Sequence, residues 1–105
     1  MIDGVLNNIK DGVTQYAQEL ALNFAFDFLE GAVSKLGKGE GLSAKVLKEA
    51  SPILTEMTSA AREAVHEQGL KGVADEQGRL TPKFRRPFEL RMLRLLSRLG
   101  YAEAI

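Results

Sequence analysis

The sequence predicts an all-α fold, a small helical domain of three to five helices with an irregular connection over residues 70–81. Three observations carry this. Apolar residues recur three or four apart through residues 2–36 and again through 42–65, the spacing of one helical face. Three glycines within Gly37-Lys38-Gly39-Glu40-Gly41 separate those stretches, each costing a continued helix about 1 kcal/mol relative to alanine. Residues suited to start and stop helices stand at the ends: Ser43 and Thr81-Pro82 before, Gly69 and Gly100 after.

The first block, residues 2–36, is apolar at Ile2, Val5, Leu6, Ile9, Val13, Tyr16, Leu20, Phe24, Phe28, Leu29, Ala32, Val33 and Leu36. Unbroken, such a helix is about 52 Å long. A compact domain of this size has a radius of gyration of about 13 Å and a diameter of about 33 Å. The block must therefore bend, with Gly12 the weak point, or the molecule is elongated. The stripe is narrow and centred near Ile9 as far as Leu20. From Leu22 onward, Leu22, Phe26, Leu29, Val33 and Leu36 widen it toward the far side, so the two stretches face different neighbours. Leu22 to Phe28 also alternates in a way that suits a short strand, but the helical spacing is the stronger signal.

Residues 37–41 read as a glycine linker. The second block, 43–68, keeps one helical phase through Leu42, Val46, Leu47, Ala50, Ile53, Leu54, Met57, Ala61, Ala64 and Val65, straight across Pro52. Retained phase means one kinked helix, or two in register with Ser51 as N-cap. Between Leu70 and Leu80 the pattern fails, and Gly72, Asp75 and Gly78 suggest an irregular excursion or a small hairpin closed around Asp75–Gly78. Pro87 reads as the first residue of a basic last helix, 87–99.

The whole chain, residues 1–105, reads as one domain, long enough to bury about two-thirds of its extended surface. It has no cysteine, which removes disulfides, thiolate metal sites and cysteine nucleophiles and fits a reducing compartment, so cytoplasm is the expected location. The start Met1-Ile2-Asp3-Gly4 lacks the basic opening of a secretory signal. The most apolar stretch, Ala17 to Val33, is interrupted by Glu19, Asn23, Asp27 and Glu30 on one helical face, so no transmembrane segment is expected.

Charge is uneven along a neutral chain. Residues 1–36 hold five acids and two bases, a net of −3; residues 37–69 hold five acids and four bases; residues 70–105 hold four acids and eight bases, a net of +4. Adhesion by bulk charge is not expected, and electrostatic recognition has to be local.

Motifs for chemistry are weak. Gly31 with Gly37-Lys38 resembles a phosphate loop, but five residues separate the glycines where four are needed, and Gly39 follows the lysine in place of Ser or Thr. His66 is the only histidine. It projects with Lys48, Thr55, Ser59 and Arg62 away from the apolar stripe, and with Glu63 and Glu67 it could hold a metal only where copies of the chain meet. Glu89, inside the apolar arc of the last helix, and Asp27, beside Phe24 and Phe28, are the carboxylates nearest an apolar environment, the setting that acid–base catalysis would need. Glu89 also lies in the first turn after Pro87, near Arg85 and Arg86, which suits a structural anion. No nucleophile–base pair is suggested, so neither catalysis nor a cofactor is expected.

The sharpest constellation is basic. Seven of the fourteen basic residues fall within residues 79–98, namely Arg79, Lys83, Arg85, Arg86, Arg91, Arg94 and Arg98, with Glu89 the only acid among them. Arg91, Arg94 and Arg98 lie within about 60° of one another on the helix wheel, opposite Phe88, Met92, Leu93, Leu95, Leu96 and Leu99. Three readings stay open: a charged face paired internally with Glu19, Asp27 and Glu30; a surface for a protein partner, since Arg, Met and aromatic residues suit interfaces; or phosphate contacts to nucleic acid. The leading expectation is a noncatalytic interaction or assembly protein. It would bind an acidic protein surface through Arg85, Arg86, Arg91, Arg94 and Arg98, and form a homo-oligomer through Leu22, Phe26, Leu29 and Val33. The alternative is a small nucleic-acid-binding accessory protein contacting phosphates through Arg79–Arg98.

Overall fold

The computed structural model describes the backbone of residues 2–36 and 43–101, and the side chains of residues 12–35 and 43–101. Among the described residues there are three α-helices, α1 (Ile2–Leu36), α2 (Ala44–Gln68) and α3 (Pro82–Arg98), with a short 3-10 turn at Leu70–Gly72. The expected glycine linker at 37–41 lies outside the described residues.

The choice between bending and elongation falls to elongation. Helix α1 is continuous through Gly12 and through the alternating stretch Leu22 to Phe28. Its 35 residues account for a molecule 54 × 24 × 19 Å in extent, with a radius of gyration of 15.6 Å.

The buried face of α1 is not where the large residues place it. Ala17, Ala21, Ala25, Leu29 and Val33, each four residues from the next, are all fully buried, whereas Tyr16 is 45% exposed and Leu20, Phe24 and Phe28 are only partly covered. The residues at spacing four form a ridge, and alanines on it let a second helix approach closely. The partner is mainly α2, which contributes Val46, Ala50, Met57 and Ala61. The Gln18 side-chain amide donates to the Thr58 carbonyl across this seam at 3.1 Å.

Helix α2 begins as expected, with the Ser43 hydroxyl accepting from the Val46 N–H at 3.2 Å. It runs unbroken through Pro52, so the one-helix reading holds and Ser51 is not a cap. Proline forfeits the bond to the Lys48 carbonyl, but Lys48 and Pro52 are both exposed, and the buried stripe continues from Ala50 to Met57 on either side. Gly69 ends the helix at φ +75°, its N–H donating to the Val65 carbonyl at 2.8 Å.

The 70–81 connection is a 3-10 turn followed by the small hairpin. Ala74 and Leu80 form an antiparallel bridge, and the Thr81 N–H donates to the Val73 carbonyl at 2.9 Å. The Asp75 carboxylate oxygen Oδ1 accepts from the N–H groups of Gln77 at 2.9 Å and Arg79 at 3.0 Å, closing the turn with Gly78 at φ +76°. Val73, Ala74 and Leu80 carry the arms of this hairpin into the core. Gly72 lets the turn lie on α2, since a Cβ there would stand 3.0 Å from the Ala64 carbonyl oxygen.

Helix α3 starts five residues earlier than Pro87. Thr81 is the N-cap, its hydroxyl accepting from the Phe84 N–H at 3.4 Å, and Pro82 takes the first turn, where no N–H is needed. Pro87 therefore lies inside α3 rather than at its start. It withdraws only the bond to the Lys83 carbonyl, on an exposed face, while Phe84 and Phe88, with rings 5.5 Å apart, anchor the two sides of it in the core. Met92, Leu95 and Leu96 complete the buried face.

Candidate functional site

Because α3 buries Phe84, Phe88, Met92, Leu95 and Leu96, the helix turns Arg91, Arg94 and Arg98 to the outside. These three arginines, with Ser97 of α3 and Ile53 of α2, line an open groove of about 590 Å³ along the α2–α3 seam. Ile53 is partly buried against the core and supplies an apolar wall; the guanidinium groups supply the positive rim.

Arg91 is held on two sides. Its guanidinium pairs with the carboxylate of Glu56 on α2, and its Cζ lies 5.5 Å from the centre of the Phe88 ring. The Arg91 and Glu56 side chains are 45% and 60% exposed, so the pair contributes roughly 0–1 kcal/mol to stability and matters more for where the guanidinium points. Among the described residues Arg94 and Arg98 form no ion pair.

The structure separates the expected partner-binding set. Arg91, Arg94 and Arg98 come together. Arg85 does not join them: it precedes Arg94 by nine residues, half a turn round the helix, and its Nε lies 3.3 Å from Glu89 Oε1. That same Nε is buried without an aligned hydrogen bond, so Arg85 belongs to a local i,i+4 pair and not to the groove. Glu89 is thus a paired anion, and Asp27 is exposed. Arg86 and Arg79 are exposed but do not line the groove, while Lys83 lies on the same helical direction as Arg94.

The expected self-association face is also divided. Leu29 and Val33 are fully buried within the chain's own core and are not available to a second molecule. Leu22 is half-buried and Phe26 is 38% exposed, so only these two remain at a surface. Glu19, Asp27 and Glu30, the expected internal partners of the arginines, are exposed and form no ion pair among the described residues. The acid that meets Arg91 is Glu56 of α2. Sequence reasoning also passed over Ile53 and Ser97 as groove residues. Ser97 could have been found from its place between Arg94 and Arg98, but Glu56 and Ile53 come from another helix and carry no local signal.

His66 is exposed at a second shallow groove with Ser59, Arg62, Glu63 and Glu67. No three His, Asp or Glu side chains converge at metal-binding distance among the described residues. Nor is any described helix long and apolar enough to cross a membrane.

The class defined by this geometry is an elongated all-α domain, with three helices among the described residues and an open arginine-lined groove. No protein-family model, no curated protein and no solved structure matches the chain.

Proposed function

We propose that the chain is a noncatalytic protein-interaction domain whose α2–α3 groove receives an acidic surface bearing an apolar side chain. The observation that supports this is the combination in one groove of Arg91, Arg94 and Arg98 with the apolar wall of Ile53. Guanidinium groups pair with carboxylates in two-toothed geometry and also stack on flat apolar groups, and they are enriched at protein interfaces for both reasons. Arg91 is already oriented by Glu56 and Phe88, which lowers the entropy cost of capturing a ligand there.

A nucleic-acid reading has one observation in its favour. Lys83, Arg91, Arg94 and Arg98 follow one side of α3 over about 22 Å, and four phosphate contacts would make affinity fall by roughly three orders of magnitude for a tenfold rise in salt. A ligand that also fills the Ile53 wall depends less steeply on salt.

Titration of isotope-labelled protein with an acidic amphipathic peptide, and separately with a single-stranded oligonucleotide, tests both readings. The expected result is amide shifts clustered at Ile53, Arg91, Arg94, Ser97 and Arg98 with the peptide, abolished in the folded Arg91→Glu, Arg94→Glu, Arg98→Glu variant. Shifts with the oligonucleotide alone favour the second reading. A groove silent to both probes overturns the proposal.

A further inference from the structure

Resting on that reading of the groove, we infer that its occupant is a second copy of this chain, offering the exposed acidic strip of α1. The strip is built from Glu19, Phe26, Asp27 and Glu30, all exposed. Glu19, Phe26 and Glu30 stand seven and four residues apart, within about 40° of one direction on the helix, and Asp27 flanks them.

Charge complementarity is the first argument. A neutral chain carries a net −3 over residues 1–36 and +4 over residues 70–105, yet the carboxylates of the strip make no ion pair with the arginines of α3 among the described residues. Opposite charges are displayed and left apart. The second argument is direction. Phe26 lies three residues before the fully buried Leu29, about 60° round the helix, so it stands at the border of the packed side and is 38% exposed. That packing fixes α1 on its own chain with the strip exposed and, among the described residues, unpaired, so strip and groove are both open to another copy.

The third argument is shape. Phe26 is one of three large apolar side chains exposed among the described residues, and it stands among carboxylates. A groove with an apolar wall and an arginine rim matches that arrangement group for group: Phe26 against Ile53, and Glu19, Asp27 and Glu30 against Arg91, Arg94 and Arg98. The strip spans about 16 Å from Glu19 to Glu30 and the groove arginines about 10 Å from Arg91 to Arg98, a difference of about 6 Å that long Glu and Arg side chains can bridge. Burying the ring while pairing the surrounding charges avoids leaving an unpaired carboxylate in the interface.

The test is sedimentation velocity on the full chain from low micromolar to millimolar concentration, with two charge-reversed variants. One is Arg91→Glu, Arg94→Glu, Arg98→Glu; the other is Glu19→Arg, Asp27→Arg, Glu30→Arg. The wild type is expected to self-associate, each variant to lose at least about a hundredfold in self-affinity through like-charge contact, and an equimolar mixture of the two to associate again. That rescue also shows both variants are folded. The mixture is repeated with Phe26→Ser added to both variants, which leaves their charges unchanged and is expected to weaken the rescue; equal rescue means bulk attraction and overturns the inference. Phe26→Ser, which changes no charge, is expected to weaken wild-type association, and an unchanged affinity also overturns it. A wild type that stays monomeric at millimolar concentration while its groove still responds to acidic peptide refutes the second copy and leaves the groove reading standing. A monomer whose groove is silent refutes both.

Discussion

The seam between α1 and α2 and the seam between α2 and α3 are built from different side-chain sizes, and the difference explains where a binding surface arises. Along α1 the ridge Ala17, Ala21, Ala25 is small, faces the fully buried Ala50, Met57 and Ala61 of the core, and leaves no polar side chain buried among the described residues. Helix α3 instead brings Phe84, Phe88, Met92, Leu95 and Leu96. Large side chains set helix axes farther apart than alanines do, and a wider seam leaves open space at its edge. That edge is where Ile53 meets Arg91, Arg94 and Arg98. The α1–α2 seam also has a groove at its edge, about 490 Å³ between Thr14, Gln15, Gln18, Arg62 and His66, but no apolar side chain lines it.

Truncating a large buried side chain in either seam should have the largest effect. Leu29→Ala on α1 and Met92→Ala on α3 are each expected to destabilise the fold by about 2–5 kcal/mol, because both residues are fully buried and the cavity collapses only in part. Urea unfolding reads this as a lower midpoint at an unchanged slope. A loss confined to Leu29→Ala would mean that α3 is a loosely attached element and not part of one cooperative core.

Enlarging a small residue distinguishes the seams directly. Ala21→Leu should cost about 1–3 kcal/mol, since a fully buried alanine at a close helix approach has no room for three more carbons. Ser97→Leu, in the open groove, should stay within about 0.5 kcal/mol of wild type. Equal thermal shifts for the two variants would abolish the contrast between a closed and an open seam.

The hairpin that delivers the chain to α3 gives a smaller effect. Thr81→Ala removes the hydroxyl that caps the Phe84 N–H and should cost about 1 kcal/mol. Gly78→Ala forces an L side chain to φ +76° and should cost about 1–2 kcal/mol by itself. In a domain of this size each kcal/mol lowers the midpoint temperature by about 4–8 °C. A neutral Gly78→Ala would show that the Asp75–Gly78 turn is not closed as described.

The smallest stability change should come from Glu56→Gln. The ion pair with Arg91 is exposed, so its loss should stay below about 1 kcal/mol and shrink further in salt. Removing the acid that pairs with Arg91 should nevertheless tighten binding of an acidic peptide, measured by the same titration. Weaker binding would mean that orientation of Arg91 by Glu56 matters more than the repulsion it adds.

Local chemistry in the sequence determined much of this protein. The caps at Ser43 and Thr81, the stop at Gly69, the stripe of α2 held in phase across Pro52 and the turn around Asp75–Gly78 depend on a residue and its neighbours within about one helical turn, so each is legible one segment at a time. The outward ladder of Arg91, Arg94 and Arg98 follows from the same periodicity. Only the tertiary structure decided the rest. Alanine is compatible with core and surface alike, so Ala17, Ala21 and Ala25 carry weak signals beside Tyr16, Leu20 and Phe24, and it took the close approach of α2 to make them the buried centre of α1. Leu29 and Val33 became core, Pro87 became interior to α3 because Phe84 and Phe88 are anchored on both sides of it, and Glu56 and Ile53 reached the arginines from another helix. Each of these depends on contacts between residues distant in the chain, which periodicity along a single segment does not encode.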